Sequence, residues 1–465
     1  MHNTRPRKSS STEWLTGTPL PRRKAVMGFI GFGLGLGVLR LADYQIVEAD
    51  KLRDRADARR LLAQTLYAKR GTIYDRNGNV LTSSVECRNI AVNPQLIEDV
   101  DKTVSALVKA TGIDKKTCRE LVESDGTWVY VKREVDEDDV EALEKKNLPG
   151  VLFEQAMKRV YPYGNLASQV LGVVNVDNDG LTGLEKQYNK LLTGTNGSLV
   201  RERARDGSYI AGGAYKKVAA VDGVDIVTTL DVNIQRAAED ALAEAVEKTK
   251  AKNGSALVTD PTTGEILAAC SYPTYDQTAL ENAKTEDMNL RLVTDAYEPG
   301  SVFKTLVAGA GFDLGAVRSS TSFEVPASIK VGDDTVTDAD KRDYTMTMDV
   351  REMMRRSSNV GFVLVGRKIG ADDFATYVDK WGIGHSSGVD FPGESLGIVK
   401  ERDQYDGATL GSMSFGQALS VSPIEVARAV GGIANGGVMM YGFETLQYRN
   451  VPCRPQRIAG VPAWW

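Results

Sequence analysis

Apolar and polar positions alternate in three distinct regimes along the chain. Ala25 to Leu39 carries no charge, Arg40 interrupts it, and Leu41 and Ala42 extend it. Arg5, Arg7, Lys8, Arg22, Arg23 and Lys24 precede this run against the single acid Glu13. A basic flank before an apolar run predicts a cytoplasmic tail over 1–24, a membrane anchor over 25–42 and the remainder outside. A cleaved signal would need a small-x-small site, for which only Arg40-Leu41-Ala42 offers itself. A buried soluble helix is the other alternative, and glycines at 28, 31, 33, 35 and 37 weaken it.

Residues 43–65 are charged and helix-friendly and read as a stalk. Asn77-Gly78 between apolar alternations predicts a hairpin. Helices are expected over 100–125, 135–147 and 166–172, and 196–222, rich in Gly, Arg and Ala, reads as a connector. Near Val224 a new regime begins. Asp225 to Leu230 is strand-like, and Asp231 caps a helix that would bury Ile234, Ala237, Ala238, Ala241, Leu242, Ala245 and Val246. Ser255–Thr259 and Ile266–Ser271, joined by Asp260-Pro-Thr-Thr-Gly264, read as a hairpin.

Composition narrows the function. The 465 residues predict two or three domains, and 57 basic against 62 acidic residues give a net charge of −5. That balance argues against a nucleic-acid binder. With only His2 and His385 present, a base for acyl transfer would not be histidine. Cys87, Cys118, Cys270 and Cys453 show no CxxC spacing, so neither a zinc ribbon nor a thioredoxin-like pair fits and they read as isolated thiols.

The chemistry concentrates in two stretches. Pro299-Gly300 precedes Ser301-Val-Phe-Lys304 at the head of an apolar helix. A serine and lysine three apart share a helix face, and burial beside a helix N-terminus disfavours the charged amine. A neutral Lys304 would then take the Ser301 proton. The spacing alone equally describes a capping serine with a surface lysine, which is the stronger reading when it stands alone. Ser357-Ser358-Asn359 offers a hydroxyl and a carboxamide two apart, or else an N-cap with its neighbour. Ser414-Phe-Gly-Gln417 and Ser422-Pro423 read as caps and breakers.

Taken together, these stretches resemble the class B penicillin-binding proteins, monofunctional peptidoglycan D,D-transpeptidases. The resemblance is carried by Arg70-Gly71, Asp75-Arg-Asn-Gly78, Arg159 with Tyr161-Pro162, Gly183-Leu-Glu185 and Thr229-Leu-Asp231. It continues through Asp260-Pro261, Tyr272-Pro-Thr-Tyr-Asp276, Glu298-Pro-Gly-Ser-Val-Phe-Lys304, Ser357-Ser-Asn359, Phe391-Pro-Gly-Glu394 and Ser414-Phe-Gly-Gln417. It implies an α/β (α+β) fold: a transmembrane helix, an elongated pedestal over 43–222, and a serine β-lactamase-like transpeptidase domain over 223–440. It implies Ser301 as nucleophile, Lys304 as general base, Ser357 as proton carrier and Asn359 as a holder of the donor peptide. Stem peptides and their lipid-linked precursor, β-lactams, the membrane and proteins of division or elongation complexes are the partners that the resemblance implies, and it implies no metal or organic cofactor.

One family feature is missing. No Lys-Thr-Gly occurs, and from Tyr441 the text loses any helix or strand period. The expectation is a frame change near codon 440, an aberrant tail over 441–465 and a domain lacking its C-terminal strands. Loss of one oxyanion donor costs about 10²–10³ in rate. The alternatives to an active transpeptidase are therefore an inactive binding or pedestal module and a β-lactam sensor or β-lactamase-like acylase.

Overall fold

The computed structural model describes residues 22–51, 61–202, 210, 213 and 215–441, with the backbone of 454–457. Residues 1–21 of the expected cytoplasmic tail, 52–60 of the stalk, and Cys453 lie outside these residues. The fold mixes helices and sheets, and the chain divides into two compact units, 1–65 with 198–218, and 66–197 with 219–465.

In the first unit the anchor is one helix, Arg22–Ala42, followed by a wider turn at Asp43–Val47. The apolar window Val26–Ile46 has mean hydropathy 1.5 and no buried residue. At 1.5 Å per residue it matches a hydrocarbon core of about 30 Å. Arg40, which interrupts the run, pairs with Asp43 at 2.7 Å and lies over the Tyr44 ring. The end of the expected stalk is a strand instead, β1 (Leu61–Leu66).

The second unit begins with β2 (Ile73–Tyr74), β3 (Val80–Val92), β4 (Val129–Val135) and β5 (Val151–Val160). In the first unit, β6 (Gly197–Glu202) and β7 (Tyr215–Val218) form a sheet with β1 in the order β1-β6-β7. The expected connector is thus partly sheet: charged side chains blur the period, but β6 and β7 still pair in register from Ser198–Val218 to Arg201–Tyr215.

The long strand β3 organises the 66–197 half of the second unit, pairing with β4 and, over ten residues, with β5. Helices Val100–Thr111, Lys115–Val122 and Glu137–Glu144 cover it, burying Val104, Leu107, Val122, Val140 and Leu143 against Ile90 and Val131. The Asn77-Gly78 turn between β2 and β3 is present, with Gly78 at φ 86. β8 (Ile226–Val227), expected to open the catalytic half, lies parallel to β2 and completes the pedestal sheet, Ile73 opposite Ile226.

A buried charge network ties this half together. Glu185 accepts from Arg70 Nε at 2.5 Å and from Arg159 Nε at 2.7 Å, and all three side chains are essentially inaccessible. Arg70 also donates to the Asn178 carbonyl, Asn189 Oδ1 and Thr193 Oγ1. Nearby, Asp75 accepts from Asn77, Asn79 and Val232, fastening the hairpin turn to the start of helix Val232–Thr249.

That helix is capped by Asp231, which accepts from Asn233 and Ile234. Only part of its expected apolar face is covered: Val246 is buried, whereas Ala237, Ala241 and Ala245 are exposed. It packs on the hairpin β9 (Gly254–Thr259) and β10 (Ile266–Tyr272), and among the described residues β9 pairs with β10 alone. A third core, centred on Phe303, Leu306, Val307, Phe362 and Trp381, carries the helices that bear the candidate chemistry. Short pairs β11 (Ser322–Val325) with β14 (Met346–Asp349) and β12 (Ser328–Val331) with β13 (Asp334–Thr337) flank it. β15 (Val438–Tyr441) pairs with β16 (Arg454–Arg457), so the expected structureless tail contains a strand. Cys87, Cys118 and Cys270 are separate buried thiols.

Candidate active site

Ser301 does not begin an α-helix. It lies in a 3₁₀ turn, Gly300–Phe303, from which the α-helix Lys304–Asp313 continues. Three residues per turn superimpose positions i and i+3. The Lys304 amine therefore stands 3.1 Å from Ser301 Oγ. The phenyl ring of Phe303 and the aliphatic side chains of Leu306 and Val307 anchor the turn in the core, while Ser301 stays exposed.

The second stretch arrives from another direction. Helix Val350–Arg356 ends at Ser357, which adopts the left-handed conformation at φ 54. Ser358 then caps helix Asn359–Ile369, accepting from Gly361 at 2.9 Å. The capping role thus falls to Ser358, and the reversal at Ser357 turns its hydroxyl toward Ser301 Oγ, 2.9 Å away.

All four expected residues converge on one amine. Lys304 Nζ lies 2.7 Å from the Ser357 carbonyl, 2.7 Å from Asn359 Oδ1 and 3.1 Å from Ser357 Oγ. The first two groups can only accept. They take the two N–H bonds of a neutral amine and leave its lone pair for the hydroxyls. Burial pulls the Lys304 ammonium down to about 8, against the opposing attraction of Asp338. Desolvation is thus the force that favours the neutral base.

Asn359, the expected peptide holder, also has partners within the protein. Its oxygen is engaged by Lys304, and its amide donates to the Thr337 carbonyl at 3.2 Å. What it retains for a ligand is one N–H and the second lone pair of its oxygen. Asp338, missed in the sequence, lies beneath this loop. It accepts from Ser358 Oγ and the Val360 N–H and pairs with Arg342 at 3.2 Å, both side chains nearly buried. Arg342 is only four residues away, but the partners that tie Asp338 to the site, Ser358 and Val360, are 20 and 22 residues away, so no local pattern marks its role. His385 pairs with exposed Asp379. Among the described residues no cluster of metal-ligating side chains occurs.

A serine, a lysine with depressed basicity, and a serine–asparagine pair at the junction of two facing helices define a serine acyltransferase without histidine. The model of the penicillin-binding protein transpeptidase domain matches residues 254–443, and that of the penicillin-binding protein dimerisation domain matches 65–228. The protein named "Probable peptidoglycan D,D-transpeptidase PenA" of Neisseria meningitidis serogroup A is 32% identical over 400 residues, 85% of this chain and 68% of that one. Peptidoglycan D,D-transpeptidase FtsI of Escherichia coli is 28% identical over 422 residues, covering 88% and 70%. Penicillin-binding protein 2X of Streptococcus thermophilus superposes with a TM-score of 0.66 at 30% identity, covering 83% of this chain and 61% of that one. The chain belongs to the class B penicillin-binding proteins, the peptidoglycan D,D-transpeptidase family.

Proposed function

We propose that the protein cross-links peptidoglycan stem peptides through an acyl-enzyme on Ser301. The observation that carries this reading is the Lys304 amine, held by two acceptors with Ser301 Oγ 3.1 Å away. Neutral Lys304 takes the Ser301 proton as Oγ adds to the carbonyl carbon between the two terminal D-alanines. The C–N bond breaks, and the proton passes through Ser357 to the departing D-alanine nitrogen. An amine of a second stem peptide then attacks the ester carbonyl, its proton passes through Lys304 to Ser301 Oγ as the ester C–O bond breaks, and the hydroxyl of Ser301 and the neutral amine of Lys304 are restored. A β-lactam carbonyl would be attacked in the same way, leaving Ser301 acylated.

In this reading 25–42 anchors the chain, with 1–24 cytoplasmic and the pedestal (43–222) and transpeptidase unit (223–440) outside. The basic residues before the apolar window support that orientation. The lipid-linked precursor supplies stem peptides at the membrane, and the pedestal meets proteins of a division or elongation complex. The dimerisation-domain match over 65–228 supports that role. The test is intact mass of the full-length protein in detergent, with and without a penicillin. A stable adduct that Ser301→Ala abolishes supports the reading. Folded protein without adduct refutes it, and rapid loss of the adduct by hydrolysis would favour a β-lactamase-like acylase instead.

A further inference from the structure

Ser357 and Asn359 approach the Ser301 turn from one side. A separate set of contacts holds that turn from another. Tyr297 and Val421 exchange two backbone bonds of 2.9 Å. The Gly300 N–H donates to the Gly416 carbonyl at 2.9 Å, and Glu298 Oε1 accepts from the Ala418 N–H at 2.9 Å. Four bonds thus join Tyr297–Gly300, the residues just before the nucleophile, to Gly416–Val421.

The backbone of this second segment is unusual. Gly416 has φ 80 and Ala418 has φ 61. An alanine in the left-handed region is strained, and such strain persists only where surrounding contacts impose it. A Cβ on Gly416 would stand 2.0 Å from the Gly300 carbonyl oxygen and 2.7 Å from its nitrogen. Only glycine allows the two segments to approach this closely. Gly300 itself, at φ 59, has nothing within 4 Å of an added Cβ. The close fit therefore belongs to position 416.

We propose that the Gly416–Ala418 turn is a clamp that sets the orientation of the Ser301 turn, with Gly416 and Glu298 as positioning residues. The inference deepens the transpeptidase reading and rests on it. Neither residue touches the reacting atoms. They act by fixing Gly300, whose carbonyl leads directly into Ser301. A displacement of about 1 Å in a nucleophile costs on the order of a hundredfold in rate.

The test is stopped-flow acylation of the full-length protein by a fluorescent penicillin, resolving the dissociation constant, the acylation rate and the burst amplitude. Glu298→Ala should slow acylation about tenfold with little change in dissociation constant or amplitude. Glu298→Gln keeps an acceptor oxygen and should restore the rate. Gly416→Ala should slow it a hundredfold or more. The pH midpoint should stay in place, because none of the Lys304 contacts changes. Equal loss in Glu298→Gln and Glu298→Ala, wild-type rates in Glu298→Ala, or a loss confined to burst amplitude would overturn the clamp. A wild-type protein that takes no penicillin refutes the transpeptidase reading instead. The clamp is then decided by hydrogen exchange: the Gly300 and Ala418 amides must lose protection in Glu298→Ala and keep it in Glu298→Gln, and unchanged protection refutes it.

Discussion

The Lys304 amine and the Asn359 carboxamide oxygen are 2.7 Å apart, a contact between a buried amine and an uncharged acceptor. A neutral acceptor at that distance holds the amine without adding negative charge. Burial then dominates and brings the ammonium to about 8 from an ordinary 10.5. Acylation of Ser301 should rise with pH and level off above about 8. The folded form binds protons less tightly than the unfolded chain, so Lys304 costs stability below pH 8, and stability should rise between pH 8 and 10.5. Rates of penicillin acylation between pH 6 and 10 check the first statement; a midpoint near 10.5 would remove the neutral base.

Asn359→Asp should move that midpoint upward. It puts a carboxylate against the amine and favours the ammonium. At pH 7 acylation should fall at least tenfold and recover partly on raising the pH. A variant with the wild-type midpoint would show that this contact does not set the lysine's charge.

Ser357→Ala removes the hydroxyl 2.9 Å from Ser301 Oγ but leaves the Ser357 carbonyl available to Lys304. Loss of a proton carrier costs about 10²–10⁴ in rate. Acylation should fall toward the lower end, since Lys304 itself remains, while the melting temperature stays within a few degrees. Stopped-flow rates and a thermal melt separate the two effects.

Local rules reached many of these elements. Asn77-Gly78 announced its hairpin, Asp231 its helix and the Asp260–Gly264 turn its strands, because each signal lies within a few residues of its effect. Ser301 and Lys304 were legible through their spacing. Their environment was not. Ser357 enters the site through a left-handed reversal that its neighbours do not specify, and Asp338 joins it through a distant tether. Gly416 read as an ordinary breaker because its purpose lies in an approach to Gly300 across more than a hundred residues of chain. The 196–222 segment hid two strands for a similar reason, as one of their partners is β1.

Asp338→Asn should uncouple rate from stability. The amide still accepts from Ser358 and Val360, but Arg342 loses its carboxylate. Breaking a buried pair costs about 3–5 kcal/mol. The lower part of that range applies, since Arg342 keeps the Val325, Pro326 and Tyr344 carbonyls. Asp338 also opposes the fall in Lys304 basicity, so the acylation midpoint should move below about 8. A lower melting temperature with a lowered midpoint bears this out; a raised midpoint contradicts it.

Glu185→Gln tests the pedestal rather than the site. Its carboxylate is the shared partner of two buried guanidinium groups, Arg70 and Arg159. Burial already pulls the Arg159 guanidinium below its ordinary value. With glutamine, two cations face one another without a counter-charge. Removing one partner of a buried pair costs about 3–5 kcal/mol, a large share of a typical margin of roughly 5–15 kcal/mol. Arg70 and Arg159 lie 89 residues apart in the chain, so the loss should loosen the whole 66–197 segment. Hydrogen exchange should then show lowered protection in β3 and β5, while the Ser301 turn, whose contacts are separate, stays protected. Equal loss of protection in both regions would mean that the pedestal and the catalytic core unfold as one unit.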